Sequence, residues 1–131
     1  MLGYRNQPVV TAFSNVVLTS AYTGNSFIHA VGGMAKIAID IKYARGAAEA
    51  ASKMQFKVEH SADGGTNWYS LTIDSTTTIS TITAREWEIG NTANLSVLLD
   101  IAYKQVRISV KESGVTTNAG TALVTLTDSG I

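Results

Sequence analysis

Between Lys36 and Tyr43 every second residue is large and apolar, with Ile37, Ile39, Ile41 and Tyr43 alternating with Lys36, Ala38, Asp40 and Lys42. A repeat of two puts alternate side chains on one face of a strand, whereas a helix would scatter them around its axis. The pattern returns where Met54, Phe56, Val58 and His60 alternate with Gln55, Lys57 and Glu59, and again where Val106, Ile108 and Val110 face away from Gln105, Arg107, Ser109 and Lys111. Arg85 to Ile89 sets Trp87 and Ile89 opposite Glu86 and Glu88. Each run reads as a strand with one core face and one solvent face.

Further strands are expected at Phe13 to Thr19, Ser26 to Val31, Trp68 to Ile73 and Ala122 to Thr127, with a Thr/Ser-rich strand or loop from Ser75 to Thr83. Leu95 to Asp100 is apolar on both faces, which suits a strand covered from both sides or a crossover through the interior. Turn signals separate these runs, among them Gly32-Gly33, Gly90-Asn91 and Ser113-Gly114. Only Ala44 to Ser52 has helix-forming composition, and it is shorter than the roughly 12 residues an isolated helix needs, so an Ala-rich loop serves equally well. About eight to ten short strands at spacings near ten residues predict an all-β fold, an antiparallel β-sandwich of jelly-roll or Ig-like type with little helix, with a closed barrel as the alternative. No repeat at a period of 20 to 50 residues is visible, which excludes a propeller or solenoid.

The expected organisation is an extended N-terminal arm over residues 1–11, which holds the only proline, followed by a single domain over residues 12–131. Leu2, Tyr4, Val9 and Val10 make the arm more apolar than a free tail needs, and Leu2, Tyr4, Pro8 and Val9 are the candidate partner-binding residues. Composition then narrows the partners. Charged residues are 15% of the chain, against about 25% in an average domain, and ten basic residues balance ten acidic ones. A chain without net charge has no field to attract a polyanion, so direct nucleic-acid binding is not expected. The low-charge Ala, Thr, Ser and Gly surface suits a subunit packed against neighbours, although an ordinary Thr-rich β surface gives the same composition. There is no cysteine, hence no disulfide and no thiolate metal ligand. Neither a signal-like N-terminus nor an 18-residue apolar stretch is present, so neither a secretory precursor nor a membrane span is expected.

The most distinctive local pattern is Val58-Glu59-His60-Ser61-Ala62-Asp63-Gly64-Gly65-Thr66-Asn67-Trp68-Tyr69. It resembles the Asp box of sialidases and other propellers, S-x-D-x-G-x-T-W, with Ser61, Asp63, Gly65 and Trp68 in place and Asn67 where the pattern has Thr. One copy over about eight residues implies a turn and nothing about sialidase activity. Asp63 is expected to accept hydrogen bonds from the turn's own amides while Gly64 and Gly65 supply positive φ, with Trp68 capping the core. In the alternative, Trp68 and Tyr69 form an aromatic platform for a sugar ring, with Trp87 as a further candidate. His29 and His60 fall in alternating apolar stretches and read as core or interface residues. Asp63 and Asp74 are weak Ca²⁺ candidates, because no acidic cluster matches a binding loop. Neither a metal site nor a cofactor is expected.

No catalytic residue is identified. The sequence lacks a Cys nucleophile, a G-x-S-x-G elbow, an H-E-x-x-H pair and a phosphate-cradling loop. Glu86 and Glu88 share one strand face roughly 7 Å apart and read as a solvated face. A non-enzymatic protein is expected.

The strand-turn-strand from Val58 to Leu71, taken with Val106 to Gly114 and Ala122 to Thr127, resembles small β-sandwich proteins of tailed-bacteriophage virions, nearest to capsid decoration (cement) proteins. Tail-tube subunits, head-completion proteins and fibre modules share that style. The resemblance implies a structural protein on the capsid surface that binds the major capsid protein or other virion subunits and stiffens the shell. It also implies a homo-oligomer, trimers being common among cement proteins. The alternative is a carbohydrate-binding module, or a receptor-binding fibre or tail component.

Overall fold

The computed structural model describes residues 9–30, 35–70, 72–73, 83–84, 86–101 and 105–130. In chain order the strands are β1 (Val9–Val17), β2 (Ser26–Ala30), β3 (Ala35–Ala44), β4 (Lys53–Ser61), β5 (Tyr69–Ser70), β6 (Thr72–Ile73), β7 (Thr83–Ala84), β8 (Glu86–Ile89), β9 (Ala93–Ile101), β10 (Gln105–Ser113) and β11 (Thr121–Gly130). Helical structure among the described residues is a single 3₁₀ turn, Tyr22–Gly24, between β1 and β2.

One sheet has the order β1-β11-β3-β9. The other has the order β2-β10-β4, with β5 and β8 both pairing the far side of β4 at different points along it. β6 and β7 make a separate ribbon. All the pairings are antiparallel. Outside the stretch from β4 to β8, the chain changes sheet at every step. The resulting orders, 1-11-3-9 and 2-10-4-8, are those of a jelly roll, a form of the β-sandwich expected from the strand spacing.

The alternating residues predicted to face inward do so. Ile37, Ile39, Ile41 and Tyr43 of β3, Met54, Phe56 and Val58 of β4, Val106, Ile108 and Val110 of β10, and Ala122, Val124 and Leu126 of β11 are each at most 1% exposed. Trp87 stacks on Phe56 across the β8–β4 pair, with centroids 5.0 Å apart and planes 5° apart. It therefore belongs to the core margin, as Glu86 and Glu88 belong to the outer row.

Several expectations are revised. Residues 9–11, read as the end of the arm, form the start of β1 and pair with Thr127, Leu126 and Thr125. Of the two readings left open for Ala44 to Ser52 the loop is the one observed: Ala44 ends β3, and residues 45–52 form a turn-rich loop in which Ala48 has φ +61°. The expected strand Trp68 to Ile73 is divided into β5 and β6. Of the segment read as a Thr/Ser-rich strand or loop, only Thr83 lies within the described residues. β9 is not covered on both sides among the described residues: it forms an edge of its sheet, where Ala93, Val97 and Leu99 pack on the core while Leu98 is 78% exposed.

The topology gathers the β1–β2, β3–β4, β8–β9 and β10–β11 connections at one end, where two buried carboxylates lock them. Glu112, 2% exposed, accepts from the Tyr43 hydroxyl (2.5 Å) and the Gly120 amide (2.7 Å). Glu49, 4% exposed, accepts from the amides of Thr116 (2.9 Å), Thr117 (2.6 Å) and Asn118 (2.6 Å) and from the Thr116 hydroxyl. Ser52 links the two, donating to the Glu49 carbonyl and lying 3.1 Å from the Tyr43 hydroxyl. Arg45 reaches from the β3–β4 loop to the Ser52 and Gly90 carbonyls and to the Asn91 side chain. Gly114 (φ +75°) passes the Ala51 carbonyl so closely that a Cβ would lie 2.4 Å from its oxygen.

The amides of Thr116, Asn118 and Thr117 lower the Glu49 carboxyl from its ordinary 4.5 to about 2. A depressed carboxyl stabilises the folded state above its unfolded-state pKa, and that contribution disappears as pH falls through the folded-state value. Thermal melts should therefore hold a plateau above roughly pH 5 and decline as the solution is acidified toward the folded-state value. Glu49→Gln should be less stable at neutral pH and show a shallower acid decline; an identical decline in the variant would remove Glu49 as its source.

Candidate functional site

The Asp-box-like turn is built from its own side chains. Ser61 donates to Asp63 Oδ1 (2.7 Å) and accepts from the Gly65 amide (3.0 Å). The Asn67 amide and side chain donate to the two Asp63 carboxylate oxygens at 2.9 and 2.7 Å. Gly64 and Gly65 take positive φ, +78° and +95°. The Asn67 amide, followed by the Ser61 hydroxyl, lowers the Asp63 carboxyl from 3.8 to about 2. Both carboxylate oxygens are thus engaged in holding the hairpin, which accounts for Asp63 without a bound ion. Asp74 lies outside the described residues, and among those described no group of three or more His, Cys, Asp or Glu is placed to hold a metal.

Trp68 does not cap the core. Its ring lies on the outer face of the second sheet, 4.4 Å from the Arg107 guanidinium carbon, and Arg107 donates from Nε to Glu59 at 3.1 Å and pairs with it through Nη2 at 3.0 Å. Arg107 and Glu59 are direct partners in the outward row of β10 and β4, and the guanidinium plane offers the indole a better surface than the filled interior. Tyr69 is opposite His60, in the inward row that also contains Val58 and Phe56, and is 58% exposed. The two rings predicted as one platform therefore lie on opposite sides of the sheet. Burial lowers the His60 imidazole below its ordinary value.

Further along the same outer face lies a feature that no motif announced. Tyr22, carried by the 3₁₀ turn, rests over β4 and β10 with the Lys57 ammonium 4.9 Å and the Lys111 ammonium 4.5 Å from its ring centroid. Burial, then the nearby Glu86 carboxylate, pushes its phenol well above the ordinary range. Between Tyr22 and the Arg107–Glu59 pair runs an open groove of about 310 Å³, also lined by Thr23, Ser26, Lys57 and Ser109. The outward positions of Lys57, Glu59, Arg107 and Lys111 were visible from alternation; the strand register that groups them, and the turn that carries Tyr22 over them, were not.

The outer face of the first sheet has a different character. Val9 and Val17 of β1 are 62% and 63% exposed, and each lies opposite an outward threonine of β11. Leu98 of β9 is exposed on the same face, and a hollow of about 370 Å³ there is bordered by Leu123, Thr125, Asp40, Lys42, Asn94 and Ser96, with Ser96 donating to Asp40 at 2.6 Å. Of the arm residues singled out in the sequence, Val9 is on this face and Leu2, Tyr4 and Pro8 lie outside the described residues. No helix among the described residues is long and apolar enough to cross a membrane.

No protein-family model matches the chain, and no curated protein matches it.

Trp68→Ala should cost about 1–2 kcal/mol, the scale of a partly exposed cation–π contact. Phe56→Ala, which empties a fully buried site beneath Trp87, should cost about 3–5 kcal/mol. Urea unfolding of both variants tests this placement, and equal losses would return Trp68 to the core.

Proposed function

We propose that the protein is a non-enzymatic structural subunit that docks on assembled coat subunits of a virion, as a decoration or cement protein does, and stabilises the shell by buried area alone. The observation that carries this reading is the outer face of the β1-β11-β3-β9 sheet, where Val9, Val17 and Leu98 stand 62%, 63% and 78% exposed and a hollow of about 370 Å³ opens over β11, β3 and β9. Exposed apolar side chains grouped on one face mark interaction surfaces. A standard contact buries about 1,600 Å² in total, and contacts repeated over a shell lock subunits by mass action. The jelly-roll order is compatible with this role, since viral capsid proteins use it, but lectins use it too.

The face ends in an edge suited to a further strand. β1, one edge, is interrupted by two register shifts and by Asn15 at φ +50°, irregularities that discourage pairing. β9, the other edge, has an unbroken register with β3 through nine residues. An extended arm from a second copy, carrying Leu2, Tyr4 and Pro8, would add to β9 by main-chain hydrogen bonds and make the protein a homo-oligomer. The runner-up, a carbohydrate-binding module or receptor-binding fibre or tail component, is favoured by the groove beside Tyr22 and the Trp68–Arg107 stack.

Co-sedimentation with tailed-phage shells stripped of their decoration, and light scattering of the free protein, test the docking reading. The wild type should bind shells and show a mass above the monomer. Val17→Lys combined with Leu98→Lys should lose shell binding while its melting curve stays within about 1 kcal/mol of wild type, as exposed substitutions do. Undiminished binding by the double variant would overturn this face as the contact.

A further inference from the structure

We propose that the groove on the outer face of the second sheet binds a carboxylated saccharide. The proposal rests on that groove and is independent of docking through the first sheet.

The groove is held by the fold. The 3₁₀ turn that carries Tyr22 is fastened to β10 by the Val110 amide donating to the Asn25 carbonyl (3.1 Å) and by the Glu112 amide donating to the Thr19 carbonyl (2.8 Å). Asn25 also donates from its side chain to the Val17 carbonyl at 3.3 Å. Tyr22 is consequently a wall with a fixed position over two strands, and a ligand meeting it incurs little ordering cost. The volume of about 310 Å³ is at the small end of the roughly 300–1,000 Å³ range of ligand sites, which suits a sugar unit better than a peptide.

The lining points to the charge of the ligand. Of the charged groups that line the groove, Lys57 and Arg107 are cations and Glu59 is an anion; beyond the lining, Lys111 rests against the Tyr22 ring and Glu86 is the β8 partner of Lys57, so three cations meet two anions on a chain whose net charge is zero. Glu59, 7% exposed, is already held by Arg107, with Lys57 at the longer distance of 3.7 Å. Lys111 has no ion pair among the described residues and rests against the Tyr22 ring. A ligand carboxylate between Lys57 and Lys111 would take up the uncompensated positive charge. The Ser26 and Ser109 hydroxyls, 3.0 Å apart, offer exchangeable donors and acceptors to sugar hydroxyls, and the Tyr22 ring offers an apolar wall to a pyranose face. Inorganic phosphate would use the cations but neither the ring nor the hydroxyl pair.

An array of glucuronate-, galacturonate- and sialate-containing oligosaccharides, each printed beside its carboxyl-reduced counterpart, tests the proposal, with affinities then measured by calorimetry. Binding to at least one carboxylated member is expected, with at least about a tenfold loss on carboxyl reduction and a similar loss in Lys111→Gln and in Tyr22→Ala, each checked by its melting curve. Raised salt should weaken the binding. Overturning results are failure to bind any carboxylated member, equal binding to the reduced forms, affinity unchanged in both variants, or displacement by inorganic phosphate at comparable concentration. Shell binding through the first sheet should be unaffected by Lys111→Gln, so failure of the groove and failure of the docking face are read separately.

Discussion

Glu112 is a charged side chain in a nearly sealed position, and the end of the sandwich where the strands cross between sheets depends on it. A carboxylate removed from water is tolerable only when its oxygens are hydrogen-bonded. Here Tyr43 and the Gly120 amide meet that need, so one side chain of the second sheet fixes both a core tyrosine of the first sheet and the entry to that sheet's last strand. Glu49 applies the same physics a turn away, gathering three successive amides of the β10–β11 loop. A jelly roll needs this, because nearly every connection spans the gap between the sheets and cannot close as a simple hairpin.

With that end fixed, the two outer faces diverge. The first sheet presents threonine and aliphatic side chains, with the charges of Asp40 and Lys42 beside its hollow. The second presents Arg107, Glu59, Lys57, Lys111 and two aromatic rings, one stacked on a guanidinium and the other beside two ammonium groups. Neither face borrows its residues from the core, so substitutions on one face can change recognition while leaving the fold and the opposite face in place. The neutral charge of the chain conceals this division, since the total says nothing about how charges are shared between surfaces.

The Asp-box-like segment shows how a motif transfers local structure without function. Ser61, Asp63, Gly65 and Asn67 are accounted for by hydrogen bonds and backbone angles within the turn. The turn also releases the chain so that Trp68 lands on Arg107. The surface of β10 determines that contact, and nothing within the motif encodes it.

By itself, the sequence determined the strands of the core, because alternation is a local property: Ile37, Ile39 and Ile41 share a face whatever they pack against, and so do Val106, Ile108 and Val110. It determined the Asp63 turn as well, since all the hydrogen-bonding partners lie within seven residues. Tertiary structure decided what depends on register and on contacts between distant segments. Val9 to Thr11 became strand because β11 offers them a partner edge, and Leu98 became exposed because β9 lies at an edge of its sheet. Trp68 left the core for Arg107, and Tyr22 came to lie over lysines from two strands far away in the chain. Period-two patterning specifies which face a residue takes but not which neighbour it meets there, and the candidate sites of this protein are made of such meetings.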